Sequence, residues 1–109
     1  MHELALAMEV VDIVTERAKG ARVKRVVLEV GVLAAVLPDA LRFCFEIASS
    51  ETGAAGAELD IVERKALARC RVCGESSEQT DLLALCRCGR SDFDWLSGSE
   101  LKVAEMEVS

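Results

Sequence analysis

Five cysteines and a single histidine are the residues of this 109-residue chain best suited to bind a metal ion. Four of the cysteines fall in two close pairs, Cys70-Arg71-Val72-Cys73 and Cys86-Arg87-Cys88, with twelve residues between them. Two short thiolate pairs on two loops supply the four ligands that tetrahedral zinc favours. The first pair has the usual two-residue gap. Gly74 after it permits a tight turn in which backbone N–H groups point at the sulfurs. The second pair has a one-residue gap. In an extended strand Cys86 and Cys88 would point to opposite faces, so both reach one ion only if the backbone turns sharply there. Three cysteines completed by water, Asp92 or Asp94 is the alternative. The interval between the pairs suits an antiparallel hairpin. The zinc is expected to be structural, because catalytic zinc keeps an open position beside three protein ligands, often histidines, and no histidine lies nearby. Cys44 stands apart and is expected to be a small buried apolar residue.

Arg69, Arg71, Arg87 and Arg90 flank the thiols. A zinc ion with four thiolates carries two negative charges, which favours guanidiniums around it. Charge balance accounts for these arginines, and a docking patch for an acidic partner is the sharper alternative.

The histidine is residue 2, in Met1-His2-Glu3. The Met1 amine, the His2 amide nitrogen and its imidazole can close chelate rings around one ion. Nitrogen-rich, square-planar surroundings of this kind suit Ni(II) or Cu(II). Glu3 can add an oxygen, or begin a helix, where its carboxylate offsets the dipole. A terminal histidine is otherwise simply solvated.

These groups need elements to hold them. Residues 3–19 have helical periodicity, with Leu4, Ala7, Met8, Val11, Val14 and Ala18 on one stripe and Gly20 as the stop. Val23–Val30 alternates as a strand, with Val26, Leu28 and Val30 on one side. A loop at 31–37 leads through Pro38 into a second helix, about 38–51, with Leu41, Cys44, Phe45 and Ala48 inward. Glu58–Glu63 is a second strand. Leu101–Val108 is an extended segment expected to rejoin the same sheet. Between them, residues 69–98 hold few large apolar side chains and need a metal staple. The expected architecture is α+β: a small three-stranded sheet packed with two helices, built from 1–68 and 99–109, plus an inserted zinc-ribbon-like module at 69–98.

Composition narrows the function. The net charge of −6 is the wrong sign for coating phosphates. No apolar run approaches the ~18 residues of a membrane span, and no signal segment is visible. A cytoplasmic protein is expected, where close cysteine pairs are metal ligands more often than disulfides. There is no second histidine for general-base work and no phosphate-cradling glycine loop, so no enzyme is expected.

Several stretches together resemble the HypA/HybF family of nickel-insertion accessory proteins. They are Met1-His2-Glu3-Leu4, Val23-Lys24-Arg25-Val26, Leu28-Glu29-Val30-Gly31, Ala40-Leu41-Arg42-Phe43-Cys44-Phe45-Glu46, Leu59-Asp60-Ile61-Val62, Cys70-Arg71-Val72-Cys73-Gly74 and Met106-Glu107-Val108. The resemblance spans the chain. It implies a nickel metallochaperone in [NiFe]-hydrogenase maturation, with His2 as principal Ni(II) ligand aided by the Met1 amine and backbone nitrogens at His2 and Glu3. It implies structural Zn(II) on the cysteines, and the GTPase HypB and the hydrogenase large-subunit precursor as partners; some relatives also serve urease. Two features depart from the family: the one-residue gap at Cys86-Cys88, and Leu37 where many relatives carry an acidic residue, with Asp39 two residues on. The rival reading is a zinc-ribbon protein-interaction or nucleic-acid-binding module using the four arginines. The acidic total and the few aromatics available for base stacking disfavour nucleic acid.

Overall fold

In chain order the elements are α1 (Glu3–Ala18), β1 (Val23–Gly31), a 3-10 turn at Val32–Ala34, α2 (Pro38–Ser49), β2 (Glu58–Arg64), β3 (Ala66–Cys70), β4 (Ser76–Gln79), β5 (Phe93–Trp95) and β6 (Leu101–Val108). They come from a computed structural model that describes residues 2–81 and 83–109. The architecture is α+β, with two helices and two three-stranded sheets.

The first sheet has the order β2-β1-β6. β1 runs parallel to β2, with Val26 opposite Leu59 and Leu28 opposite Ile61, and antiparallel to β6. The expected return of residues 101–108 to this sheet is observed. The alternation in β1 buries Val26, Leu28 and Val30 and leaves Arg25, Val27 and Glu29 on the open face. There Arg25 bridges Asp60 at 2.6 Å and Glu107 at 3.2 Å, linking all three strands.

Both helices cover the other face, and one core joins them to it: Ala7, Val10, Val11 and Val14 of α1 with Leu41 and Phe45 of α2. Lys19 in the left-handed conformation (φ 50°) ends α1, and Pro38 in the first turn of α2 fixes its start. The expected inward stripe of α1 is corrected in part. Leu4 and Met8 are half exposed and Val10 is buried instead. Leu4 and Met8 flank the Ala7–Val11–Val14 line on one side and Val10 on the other; helical spacing alone does not choose between the flanks.

α2 connects two parallel strands, so it runs opposite to both. α1 reverses into β1 through residues 19–22 and runs the same way as α2. The amide of Val23, where β1 begins, bonds the Gly53 carbonyl just beyond α2. The N-termini of the two helices therefore lie side by side.

The second sheet has the order β4-β3-β5, all antiparallel. It takes in Ala66–Ala68, ahead of residue 69, and a single residue, Lys65, separates β2 from β3. The expected hairpin between the cysteine pairs is not formed by those twelve residues alone. Instead the chain reverses at the first pair and β4 returns along β3. The core is small: Ala68, Cys70, Cys86 and Phe93, with Trp95 packed against Phe93 at 5.4 Å between ring centroids.

The two sheets meet at a backbone junction. The Leu33 amide donates to the Gly98 carbonyl and the Gly31 amide to the Glu100 carbonyl, both at 2.7 Å. The Glu100 carboxylate accepts the Gly98 amide proton at 3.0 Å. A side chain on Gly31 would collide with the Gly98 carbonyl. Gly98 itself (φ +126°) packs so tightly that its Cβ would lie 2.5 Å from that of Ala66. No described helix is long and apolar enough to cross a membrane.

Candidate metal centre

Two turns present the four clustered thiols. In the first, the Gly74 amide bonds the Cys70 carbonyl and the Cys70 amide bonds the Glu75 carbonyl, both at 2.9 Å. In the second, the Gly89 amide bonds the Cys86 carbonyl at 2.8 Å and the Cys86 amide bonds the Arg90 carbonyl at 2.7 Å. The second is the same device one residue shorter. Gly74 (φ 76°) and Gly89 (φ 89°) take the left-handed conformation that closes each turn. This is the sharp bend that the Cys86-Cys88 spacing demands.

The result is convergence. The four sulfurs lie within 4.8 Å of one another, with Cys70 and Cys86 buried and Cys73 and Cys88 exposed. The close contacts run between the pairs: Cys70 to Cys88 at 3.7 Å and Cys73 to Cys86 at 3.5 Å. A tetrahedral Zn–S distance of about 2.3 Å sets sulfurs about 3.8 Å apart, so the donor set fits zinc in number, kind and spacing. Asp92 and Asp94 turn to Arg71, at 3.3 and 2.7 Å. A carboxylate is not needed as fourth ligand. Arg71 and Arg87 thus balance nearby carboxylates, Arg87 pairing with Glu75 at 3.3 Å.

The electrostatics suit a cation. The Cys70 thiol is lowered to about 7, chiefly by the Cys73 amide and also by that of Val72, partly opposed by burial. Cys73 and Cys86 shift upward. Amide donors from Glu75 and Cys88 respectively lower them, but burial and the neighbouring thiols outweigh that. One thiolate forms readily in the cluster and the next resist like charge, which a bound dication relieves. Cys44 lies apart, half-buried against the helix-and-sheet core.

At the other end, His2 precedes α1 as its N-cap residue, exposed and with no side-chain capping bond. Met1 lies outside the described residues. The first helical bond in this segment runs from the Leu6 amide to the His2 carbonyl at 3.1 Å, and first-turn amides ahead of it have no helical acceptor. The Glu3 carboxylate accepts the Leu37 amide proton at 3.2 Å. That bond, followed by one from its own amide, lowers its pKa. Leu37 thus contributes a backbone donor to the Glu3 carboxylate. Asp39 pairs with Arg42 at 3.4 Å.

Sequence reading did not find the Glu3–Leu37 bond, which joins residues far apart in the chain and involves a backbone donor. Nor did it find the Phe93–Trp95 packing that backs the cysteine cluster; two aromatics in a polar stretch were its only signal.

A thiolate cluster stapling a small ribbon, set into a two-helix domain with an exposed terminal histidine, defines a metal-handling protein. Comparison with known proteins agrees. The family profile described as "Hydrogenase/urease nickel incorporation, metallochaperone, hypA" matches residues 1–108. The hydrogenase maturation factor HypA of Nostoc punctiforme is 46% identical over 108 residues, covering 99% of this chain and 96% of that protein. That of Geotalea uraniireducens is 44% identical, covering 99% of each. The solution structure of the Ni metallochaperone HypA from Helicobacter pylori superposes with a TM-score of 0.70 at 24% identity, over 99% of this chain and 97% of that one, a likeness of fold. This chain belongs to the HypA family.

Proposed function

We propose that this chain binds Ni(II) at its N-terminus and delivers it for [NiFe]-hydrogenase maturation, while Cys70, Cys73, Cys86 and Cys88 hold a structural Zn(II). The observation that carries the nickel reading is the exposed His2 ahead of α1, next to amides that no helical bond occupies, in a chain of a nickel-incorporation family. The imidazole, the Met1 amine and the amide nitrogens of His2 and Glu3 form the nitrogen-rich set that Ni(II) prefers. Nickel is cargo, so its ligands must open. A site ahead of the first helical turn opens with few packed contacts to break.

Zinc bound to the four thiolates would supply the fold energy that the small second core lacks. We assign residues 66–98 to this zinc-holding unit and residues 1–64 with 101–109 to the nickel-holding unit. The role is transfer, not catalysis. It is assigned to the cytoplasm, with the GTPase HypB and the hydrogenase large-subunit precursor as partners.

The test is calorimetric titration of the untagged, zinc-loaded protein with Ni(II), alongside His2→Ala. One nickel per chain that is lost in the variant supports the proposal. Unchanged affinity in His2→Ala sinks the terminal site, and no binding in either protein leaves a zinc-stapled interaction module.

A further inference from the structure

Each exposed sulfur of the cysteine cluster sits against a buried sulfur of the other turn. Cys70 is buried and Cys73 exposed in the first turn, Cys86 buried and Cys88 exposed in the second. Cys88 lies 3.7 Å from Cys70, and Cys73 lies 3.5 Å from Cys86. A disulfide spans about 2.05 Å. Each sulfur would therefore move by less than about 1 Å to form one, a small side-chain rotation that leaves both turns in place.

Spacing and contact together choose one pairing. Cys86 and Cys88 are separated by Arg87 alone. A bond between them would close a very small ring, strained and easily reduced. In a fully oxidised cluster each must find its partner in the first turn, so Cys70 and Cys73 do not bond to each other either. Two crossed arrangements remain, and the short contacts favour Cys70 with Cys88 and Cys73 with Cys86. Cys44 packs against the helix-and-sheet core and takes no part.

We propose that the cluster is an oxidation site, which hydrogen peroxide converts to two crossed disulfides, Cys70–Cys88 and Cys73–Cys86, releasing the metal while the two turns stay joined. The oxidant reaches an exposed sulfur first. The Cys88 thiolate attacks one peroxide oxygen. The O–O bond breaks, and hydroxide leaves to become water with a proton from solvent. The Cys70 thiolate then attacks the sulfur of the resulting sulfenic acid. The S–S bond forms, the S–O bond breaks, and the departing hydroxide also takes a proton. Two thiolates have given two electrons to one peroxide. Cys73 and Cys86 repeat the exchange with another peroxide. No thiolate is then left for the metal, and covalent links keep Cys70 and Cys86 in the small core. Reduction by a dithiol reverses both bonds. The inference deepens the zinc assignment and rests on it for what is released.

The test treats the full, zinc-loaded chain with about two equivalents of hydrogen peroxide, one for each disulfide. Zinc release is followed with a chromophoric chelator. Remaining thiols are alkylated, and the chain is digested with trypsin without reduction. Cleavage after Arg69, Arg71, Arg87 and Arg90 separates Cys70-Arg71, residues 72–87 and Cys88-Gly89-Arg90. The proposed pairing gives Cys70-Arg71 joined to Cys88-Gly89-Arg90, and residues 72–87 closed on themselves. Every other full pairing joins all three peptides and would overturn the proposal. Zinc should be lost completely, with Cys44 alone left to alkylate. Trp95 emission should stay near that of the zinc form, whereas chelation without oxidant shifts it to the red. Emission as red after oxidation as after chelation would show that the disulfides do not hold the ribbon. A glycine inserted between Arg87 and Cys88 should let bonds within the pairs appear; exclusive crossed pairing there would refute the role of the short gap. Zinc content measured before oxidant is added reads the metal assignment by itself, so the two readings fail separately.

Discussion

The carboxylate of Glu3 holds the backbone amide of Leu37, and so fastens the first turn of α1 to the residue that opens α2. The carboxyl is held below the usual range by that amide. Its folded-state value is depressed, so the bond's contribution is present above the unfolded value and fades as pH falls through the folded one. Glu3→Gln should therefore lower the melting temperature at neutral pH, with the difference from the parent shrinking to nothing in acid. A difference independent of pH would show that the carboxylate charge is irrelevant.

Metal removal should act on one sheet only. Trp95 is the sole tryptophan and packs on Phe93 in the small core, so its fluorescence reports that region. A chelator should shift Trp95 emission to the red and strip amide protection from residues 66–98, while β1 and both helices keep theirs. Cys70→Ser should mimic the chelator and Cys44→Ser should not. Simultaneous loss of both sheets would refute the separation.

Zinc affinity should depend on pH more steeply below neutrality than above it. The Cys70 thiol of the metal-free protein titrates at about 7, and a ligand must shed its proton to bind. Above that value one thiolate is already formed. Below it the metal must displace this proton too, so affinity should fall more steeply as pH drops. Competition with a chromophoric chelator from roughly pH 5.5, below the lowered Cys70 value, up to about 8.5, where an ordinary thiol titrates, reads this directly.

Gly98→Ala should be costly for its size. The new methyl group meets Ala66, and φ +126° is a conformation that only glycine takes comfortably. Overpacking and backbone strain together should cost about 2–5 kcal/mol, measured by urea unfolding. A change below about 0.5 kcal/mol, ordinary for surface sites, would mean that the junction is loose.

Two phenylalanines one residue apart should behave oppositely. Phe45 is fully enclosed by the main core, and Phe45→Ala should lose about 3–5 kcal/mol. Phe43 faces solvent, and Phe43→Ala should stay within about 0.5 kcal/mol. Equal losses would contradict the packing of α2.

Much of this was legible because side-chain periodicity reports burial directly. Val26, Leu28 and Val30 announced β1 and its inward face. The Leu101–Val108 alternation announced a strand with a sheet to rejoin, and the cysteine pairs announced a cluster of four thiols. The start of β3 was harder to see. Its inward residues are Ala66 and Ala68, too small to carry an apolar signal, and Lys65 alone marks the passage from one sheet to the next. The choice between Val10 and the Leu4–Met8 flank depends on where α2 lies, which is a tertiary fact. The turn at Cys86-Cys88 was required by the chemistry before its geometry was known. Its closure through Gly89 and the Arg90 carbonyl is visible only in three dimensions.

The parallel course of α1 and α2 has an electrostatic consequence for any cation bound at their N-termini. Each helix places a partial positive charge at its N-terminus, and here both such ends lie together beside His2 and Glu3. A doubly charged ion seated there would be repelled by the scaffold. Its ligands would have to supply compensating negative charge, from ionised amides or a carboxylate, and that charge would disappear when a proton returned. If the proposed nickel site lies there, such a field would make binding conditional and release cheap.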